Sequence, residues 1–256
     1  MLDVTVDDQV ALVTLNRPEA RNALSGELVA LMDECFVDLD RRPDVAVIIL
    51  TGADPAFCAG FDLRQLSTEL RSVQQHRQGV PVPHLGMLPA HTTPVIGAIN
   101  GAAVTGGLEL ALACDLLIAS DRARFADTHA RVGAMPGAGL TIRLPELIGI
   151  NRARQMSFTG DFVPAQRAYE WGLVNEVVPH DQLLARAREV AGSIVSIPAA
   201  NVAEIARVYA RVGELSGAEA WRLESRLARQ WMAERFDQSR LAAERQAIIE
   251  RGRRQA

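Results

Sequence analysis

The stretch from Val95 to Ser120, VIGAINGAAVTGGLELALACDLLIAS, constrains the fold most. An apolar run over Val95–Ile99 breaks at Asn100-Gly101 and again at Gly106-Gly107, continues as Leu108–Cys114, and ends in a second apolar run, Leu116–Ala119. This pattern predicts strand, glycine turn, buried helix, strand. The helix is apolar on every side except at Glu109, and a carboxylate is almost never fully buried without a partner or a task. Gly106 falls at the predicted helix start, where peptide N–H groups have no intrahelical acceptor. Residues three apart share a helix face, so the Gly106 N–H and the Glu109 carboxylate are expected to open onto one space, about a turn apart. An anion-stabilising donor beside a general acid/base suits enolate chemistry on a carbonyl compound. A tight glycine contact with Glu109 reaching solvent would give the same pattern.

Composition narrows the classes. A chain of 256 residues can hold one large α/β domain or a core with an appendage. Its net charge of −4 and lack of a basic cluster disfavour nucleic acid as a partner. All 27 basic residues are arginine. That rules out a lysine Schiff base, lysine-bound pyridoxal phosphate or a P-loop, and leaves arginine or backbone N–H groups to hold any anionic ligand group. Cys35, Cys58 and Cys114 lie far apart without a CxxC pair, as buried cysteines of a reducing compartment do. No metal site is expected. The first residues alternate instead of forming a signal peptide, and no apolar run is long enough to span a membrane. A cytoplasmic protein is expected.

Along the chain, residues 2–15 predict a hairpin turning at Asp7-Asp8-Gln9. Ser25 is the expected N-cap of a helix with an inner stripe of Leu28, Leu31, Met32, Cys35 and Leu39. Val45–Leu50 has the unbroken apolar character of a strand covered on both faces. An amphipathic helix through Leu63, Leu66, Leu70 and Val73 is followed by a Gly/Pro-rich loop over 77–94 carrying His84 and His91. Beyond the central unit come a second glycine loop at Met135–Gly139, helices near 140–148, 151–159 and 164–171, and a strand at 174–178. From Asp181 the chain is Ala/Arg/Glu-rich and helical, which sets an expected boundary between a core at 1–195 and a helical region at 196–256.

Six segments in order, LNRPEARNAL (15–24), VIILTG (47–52), PAFCAGFDL (55–63), PVIGAINGAAVTGGLELALACD (94–115), FADTHARVGAMPGAG (125–139) and AYEWGLVNEVV (168–178), make the chain resemble the enoyl-CoA hydratase/isomerase (crotonase) superfamily over almost its whole length. The resemblance implies an α/β fold, a crotonase-like spiral of ββα repeats with a C-terminal helical trimerisation region, assembled as a homotrimer or as a hexamer built from two trimers. It implies acyl-CoA thioester substrates, with coenzyme A part of the substrate and no separate cofactor. The backbone N–H groups of Phe61 and Gly106 would hold the thioester oxygen, and loss of such a donor costs about 3–4 kcal/mol. Ala59, Gly60, Phe61, Asp62 and Leu63 would border the CoA, with Arg21 or Arg17 as partner for a phosphate.

One departure stands out. In two-carboxylate hydratases a second Glu follows the Glu109 position by twenty residues, in a segment like FGQPE, whereas here the segment is FADTH and position 129 is His. An imidazolium at His129 could donate the proton a second Glu would supply. Asp127 would point the same way as His129 if the backbone were extended. The leading expectation is a lyase adding water to 2-enoyl-CoA, with Glu109 as acid/base. Isomerisation, thioester hydrolysis and CoA-ester binding without turnover are the alternatives raised by His129.

Overall fold

A computed structural model describes residues 1–61, 86–213, 215–235 and 250. The chain forms two compact units, residues 1–203 and 204–256. Asp62, Leu63, His84 and the helix expected over 63–73 lie outside the described residues.

The first unit opens with the expected hairpin, β1 (Leu2–Asp7) paired antiparallel with β2 (Val10–Leu15). Asp8 and Gln9 take left-handed backbone angles at its turn. Helix α1 (Gly26–Arg41) starts where Ser25 Oγ accepts the Leu28 N–H at 3.2 Å. Its buried stripe is Leu28, Val29, Met32, Asp33, Phe36 and Leu39. Leu31 of the expected stripe is exposed and Cys35 is only partly buried, because the inner face is centred one position away, on Phe36.

After α1 the chain alternates between two sheets. Strands β3 (Val47–Gly52), β5 (Val95–Ile99), β7 (Leu116–Ser120) and β10 (Glu176–Val178) extend the hairpin into a six-stranded sheet of order β1-β2-β3-β5-β7-β10, parallel from β2 onward. Strands β4 (Ala56–Cys58), β6 (Ala102–Val104), β8 (Arg124–Ala126) and β9 (Val163–Pro164) form a second sheet in that order. Strands β3, β5 and β7 of the large sheet are each followed by a short strand of the small one, β4, β6 and β8. The sequence reading missed β6, since three residues between two glycine breaks show no period.

Helix α2 (Gly106–Leu112) follows β6, and α3 (His129–Val132) follows β8. Then come α4 (Leu140–Ile148), α5 (Ile150–Thr159), α6 (Ala165–Trp171) and α7 (Leu183–Val195). Helix α8 (Ala199–Gly213) crosses the division between the units, and α9 (Gly217–Glu234) lies in the second. Every residue of β3 is buried, as expected of a strand covered on both faces. One face joins the main core with Phe36, Phe57 and Phe125. The other packs Val47, Ile49, Ile96 and Ile118 against Leu183, Ala187 and Ala191 of α7. Among the described residues, no helix is long and apolar enough to cross a membrane.

Two buried asparagines and one aspartate lock the loops. Asn22 Nδ2 donates to the carbonyls of Ala53 and Ala56, both at 2.7 Å, while its Oδ1 accepts the Arg17 N–H at 2.9 Å. Asn100 Nδ2 donates to Asp54 at 2.9 Å, and its Oδ1 accepts the Gly52 N–H at 3.2 Å. Asp40 Oδ1 accepts the N–H groups of Thr92 at 2.8 Å and Thr93 at 2.7 Å, tying α1 to the entrance of β5. Burial opposes the charge on Asp40, but these N–H groups outweigh it and hold the carboxyl below its ordinary value.

Replacing Asn22 by Ala strands these buried groups and should cost about 3 kcal/mol, read from urea denaturation. For Asp40, the lowered folded value means its stabilisation is complete above the unfolded value of about 3.9 and is lost as pH falls through the folded value. Asp40→Asn should therefore lower the urea midpoint at neutral pH, and lower it progressively less as pH falls through the folded value.

Candidate active site

Local backbone geometry brings the two sequence-predicted donor segments together. Gly60 has φ +89°, a conformation glycine tolerates, and its carbonyl accepts the Leu24 N–H at 2.8 Å. A trans peptide points its C=O and N–H in opposite directions, so the Phe61 N–H is directed away from Leu24. At α2, the Thr105 carbonyl accepts the Glu109 N–H at 2.9 Å, and by the same rule the Gly106 N–H points out of the helix start. A Cβ placed on Gly60 would lie 3.4 Å from Gly106 N, and one on Gly106 would lie 3.0 Å from the Phe61 ring. The two segments are therefore in contact through atoms that only glycine leaves bare.

Thr105, between β6 and α2, is held at φ 55° and ψ −111°, outside the regions that ordinary residues favour. Three bonds secure it there. Its N–H donates to Ala126 O at 2.8 Å, its hydroxyl pairs with that of Thr128 at 2.5 Å, and its Oγ1 accepts the Thr128 N–H at 3.3 Å. Such a conformation costs about 1–3 kcal/mol and persists only where neighbours over-determine it. Here it sets the direction of the first peptide of α2.

Glu109 is 2% exposed. It does not escape to solvent. Its Oε1 accepts the N–H groups of Gly137 at 3.2 Å and Ala138 at 2.7 Å, both from the second glycine loop, and its Oε2 lies 3.8 Å from His129 Nε2. One oxygen is thereby occupied while the other faces the imidazole. The role of the second glycine loop as the anchor of Glu109 was not read from the sequence; the MPGAG run marked the loop but not its target.

His129 is 6% exposed and opens α3, so the backbone after Asp127 is not extended, as Thr128 at φ −104° and ψ 13° shows. The two side chains meet all the same. Asp127 Oδ1 accepts the backbone N–H of His129 at 3.1 Å and lies 2.6 Å from its Nδ1. Burial works against the Asp127 charge, yet hydrogen bonds from the His129 ring and Ser157 hold the carboxyl below its ordinary value.

Ala59 donates its N–H to the Arg21 carbonyl at 3.0 Å, and the Arg21 residue is exposed. The Arg17 guanidinium donates to the Ala23 carbonyl at 2.5 Å, fastening the same loop from behind. Cys58, beside α2, is wholly buried, and burial pushes its thiol up to about 12. A second histidine cluster, Ser120–His180–Asp54, has the residue types of a hydrolase triad, but Ser120 is wholly buried and its hydroxyl also accepts the Arg122 N–H at 3.0 Å. Among the described residues, no three His, Cys, Asp or Glu side chains are grouped to hold a metal ion.

A family model described as enoyl-CoA hydratase/isomerase matches residues 5–251. The chain belongs to the enoyl-CoA hydratase/isomerase family. It is 42% identical over 195 residues to the (E)-benzylidenesuccinyl-CoA hydratase of Thauera aromatica, covering 75% of each chain. It is 40% identical over 186 residues to a probable peroxisomal enoyl-CoA hydratase of Arabidopsis thaliana, covering 73% of this chain and 69% of that protein. Among solved structures, an enoyl-CoA hydratase from Mycobacterium smegmatis is similar with a TM-score of 0.75 at 51% identity, over 91% of this chain and 98% of the other. Another, from Geobacillus kaustophilus, gives a TM-score of 0.83 at 31% identity, over 98% and 95%. The fold is the crotonase fold and the protein is an enzyme of this family.

The start of α2 offers a direct test of this packing. A Cβ on Gly107 would lie 2.0 Å from the Cys58 carbonyl oxygen, closer than any real contact. Gly107→Ala should cost about 1–3 kcal/mol, seen as a lowered Tm, because helix and strand must separate. Turnover should fall further than stability alone explains, since the same shift moves Gly106 away from Phe61.

Proposed function

We propose that this family member is a lyase that adds water across the α,β double bond of 2-enoyl-CoA thioesters. The observation that carries the reading is the state of Glu109, a buried carboxylate with one oxygen fixed by two peptide N–H groups and the other turned toward a histidine. A carboxylate so placed suits a general base far better than a structural ion pair.

In this reading the Phe61 and Gly106 N–H groups receive the thioester oxygen, as the family resemblance implies. Water attacks C3 and gives a proton to Glu109 Oε2. The π electrons of the double bond move onto the thioester oxygen, and the resulting enolate takes a proton at C2 from His129 Nε2. Proton return from Glu109 to His129 closes the cycle, with one water consumed and no external reagent. The CoA is carried by the substrate, and Ala59–Leu63 with Arg21 would border it, as the family resemblance implies. The trimeric or hexameric assembly implied by the resemblance is part of the same proposal.

Mixing the enzyme with crotonyl-CoA should bleach the conjugated thioester absorbance and give a product heavier by one water. An unchanged product mass would mean isomerisation, and release of free thiol would mean hydrolysis. Glu109→Gln should reduce kcat by about 10²–10⁴-fold, the range for removal of a general acid/base. Full activity in that variant would remove the reading.

A further inference from the structure

A second buried carboxylate stands directly behind the histidine and is left without a task by the reaction above. Asp127 is 1% exposed, and it meets His129 twice through one oxygen, at the backbone N–H and at Nδ1. We propose that Asp127 is a positioning residue that holds His129 with a proton on Nδ1 and Nε2 turned to Glu109, so that the Asp127–His129 dyad takes over the task of a second catalytic carboxylate. This rests on the hydratase reading and specifies how its acid is built.

The geometry leaves one arrangement. An ionised carboxylate only accepts hydrogen bonds, so a ring nitrogen 2.6 Å from Asp127 Oδ1 carries its proton. With Nδ1–H committed, Nε2 is the nitrogen that gains and loses a proton, and it lies 3.8 Å from Glu109 Oε2. That gap is too long for a direct hydrogen bond. Two atoms so spaced can both touch a third atom about 2.8–3.0 Å from each, the distance of a hydrogen-bonded water. Rotating the ring by half a turn would put a carbon against Asp127 and forfeit the bond, so the carboxylate fixes orientation as well as tautomer.

Among the described residues, the groups facing the ring are few. Asp127 approaches from the chain just before α3 and Glu109 from α2, while α5 contributes Ser157, a neutral partner of Asp127. Arg131, on the same short helix as His129, is paired with Asp161 at 3.5 Å. Two carboxylates therefore flank one imidazole. Asp127 keeps its charge throughout the cycle and transfers nothing. The proton that leaves Nε2 for C2 is replaced by the one Glu109 took from water.

The test uses Asp127→Asn, His129→Gln and the double variant, with crotonyl-CoA as substrate. Asp127→Asn should lower kcat at least about tenfold with KM within about twofold, the pattern of a group acting in the transition state. The double variant should be no worse than His129→Gln, as for residues that act as a unit. Independently of any variant, ¹⁵N spectra of histidine-labelled wild-type enzyme should show the neutral His129 ring protonated at Nδ1. An Nε2-protonated ring overturns the dyad, as does an Asp127→Asn enzyme with unchanged kcat. If Glu109→Gln is inactive while Asp127→Asn is fully active, the hydratase reading stands and the dyad falls. If wild-type enzyme leaves crotonyl-CoA and other 2-enoyl-CoA thioesters untouched, both fall together.

Discussion

The arrangement depends on how closely the backbone of α2 approaches that of β4. Gly107 has no room for even a methyl group against the Cys58 carbonyl, and this contact seats the first turn of a short helix between two sheets. Gly106 then rests on the Phe61 ring and Gly60 on the Val104 carbonyl. Three glycines from two distant parts of the chain thus act as spacers of zero thickness. Any side chain there would part the two segments by more than the length of a hydrogen bond can absorb.

Around that contact the site is built from backbone more than from side chains. Peptide groups orient Glu109, direct the Phe61 and Gly106 N–H vectors and fix Thr105. Beside Glu109, Asp127 and His129, the side chains that matter most are Asn22 and Asn100, which satisfy buried carbonyl and N–H groups where loops cross. An amide can do this without carrying charge into the interior, where an ion would need a partner.

Much of this was legible in the residues. Hydrophobic patterning located the hairpin, α1, the buried β3 and the strand–helix–strand unit, because each shows a clear period or an unbroken apolar run. Glu109 stood out because an acid in an apolar helix demands a partner. What the pattern could not carry was long-range hydrogen bonding. Nothing local in MPGAG says that its N–H groups reach an acid some thirty residues earlier, and nothing in RNAL says that Asn22 spans to Ala53 and Ala56. Asp127 was expected to point the same way as His129 only on an extended backbone, yet a helical turn begins between the two and the aspartate meets the ring by accepting the His129 N–H as well. Strands as short as β6 leave no trace in hydrophobicity.

The spacing of Glu109 and His129 also carries a stereochemical consequence. Groups working on opposite faces of a flat double bond must each stand about 3–3.5 Å from its plane, and so about 6–7 Å from one another. Oε2 and Nε2 are only 3.8 Å apart. Both can attend only a single face of a planar alkene, so in the proposed hydration oxygen and hydrogen delivered by this pair would enter syn.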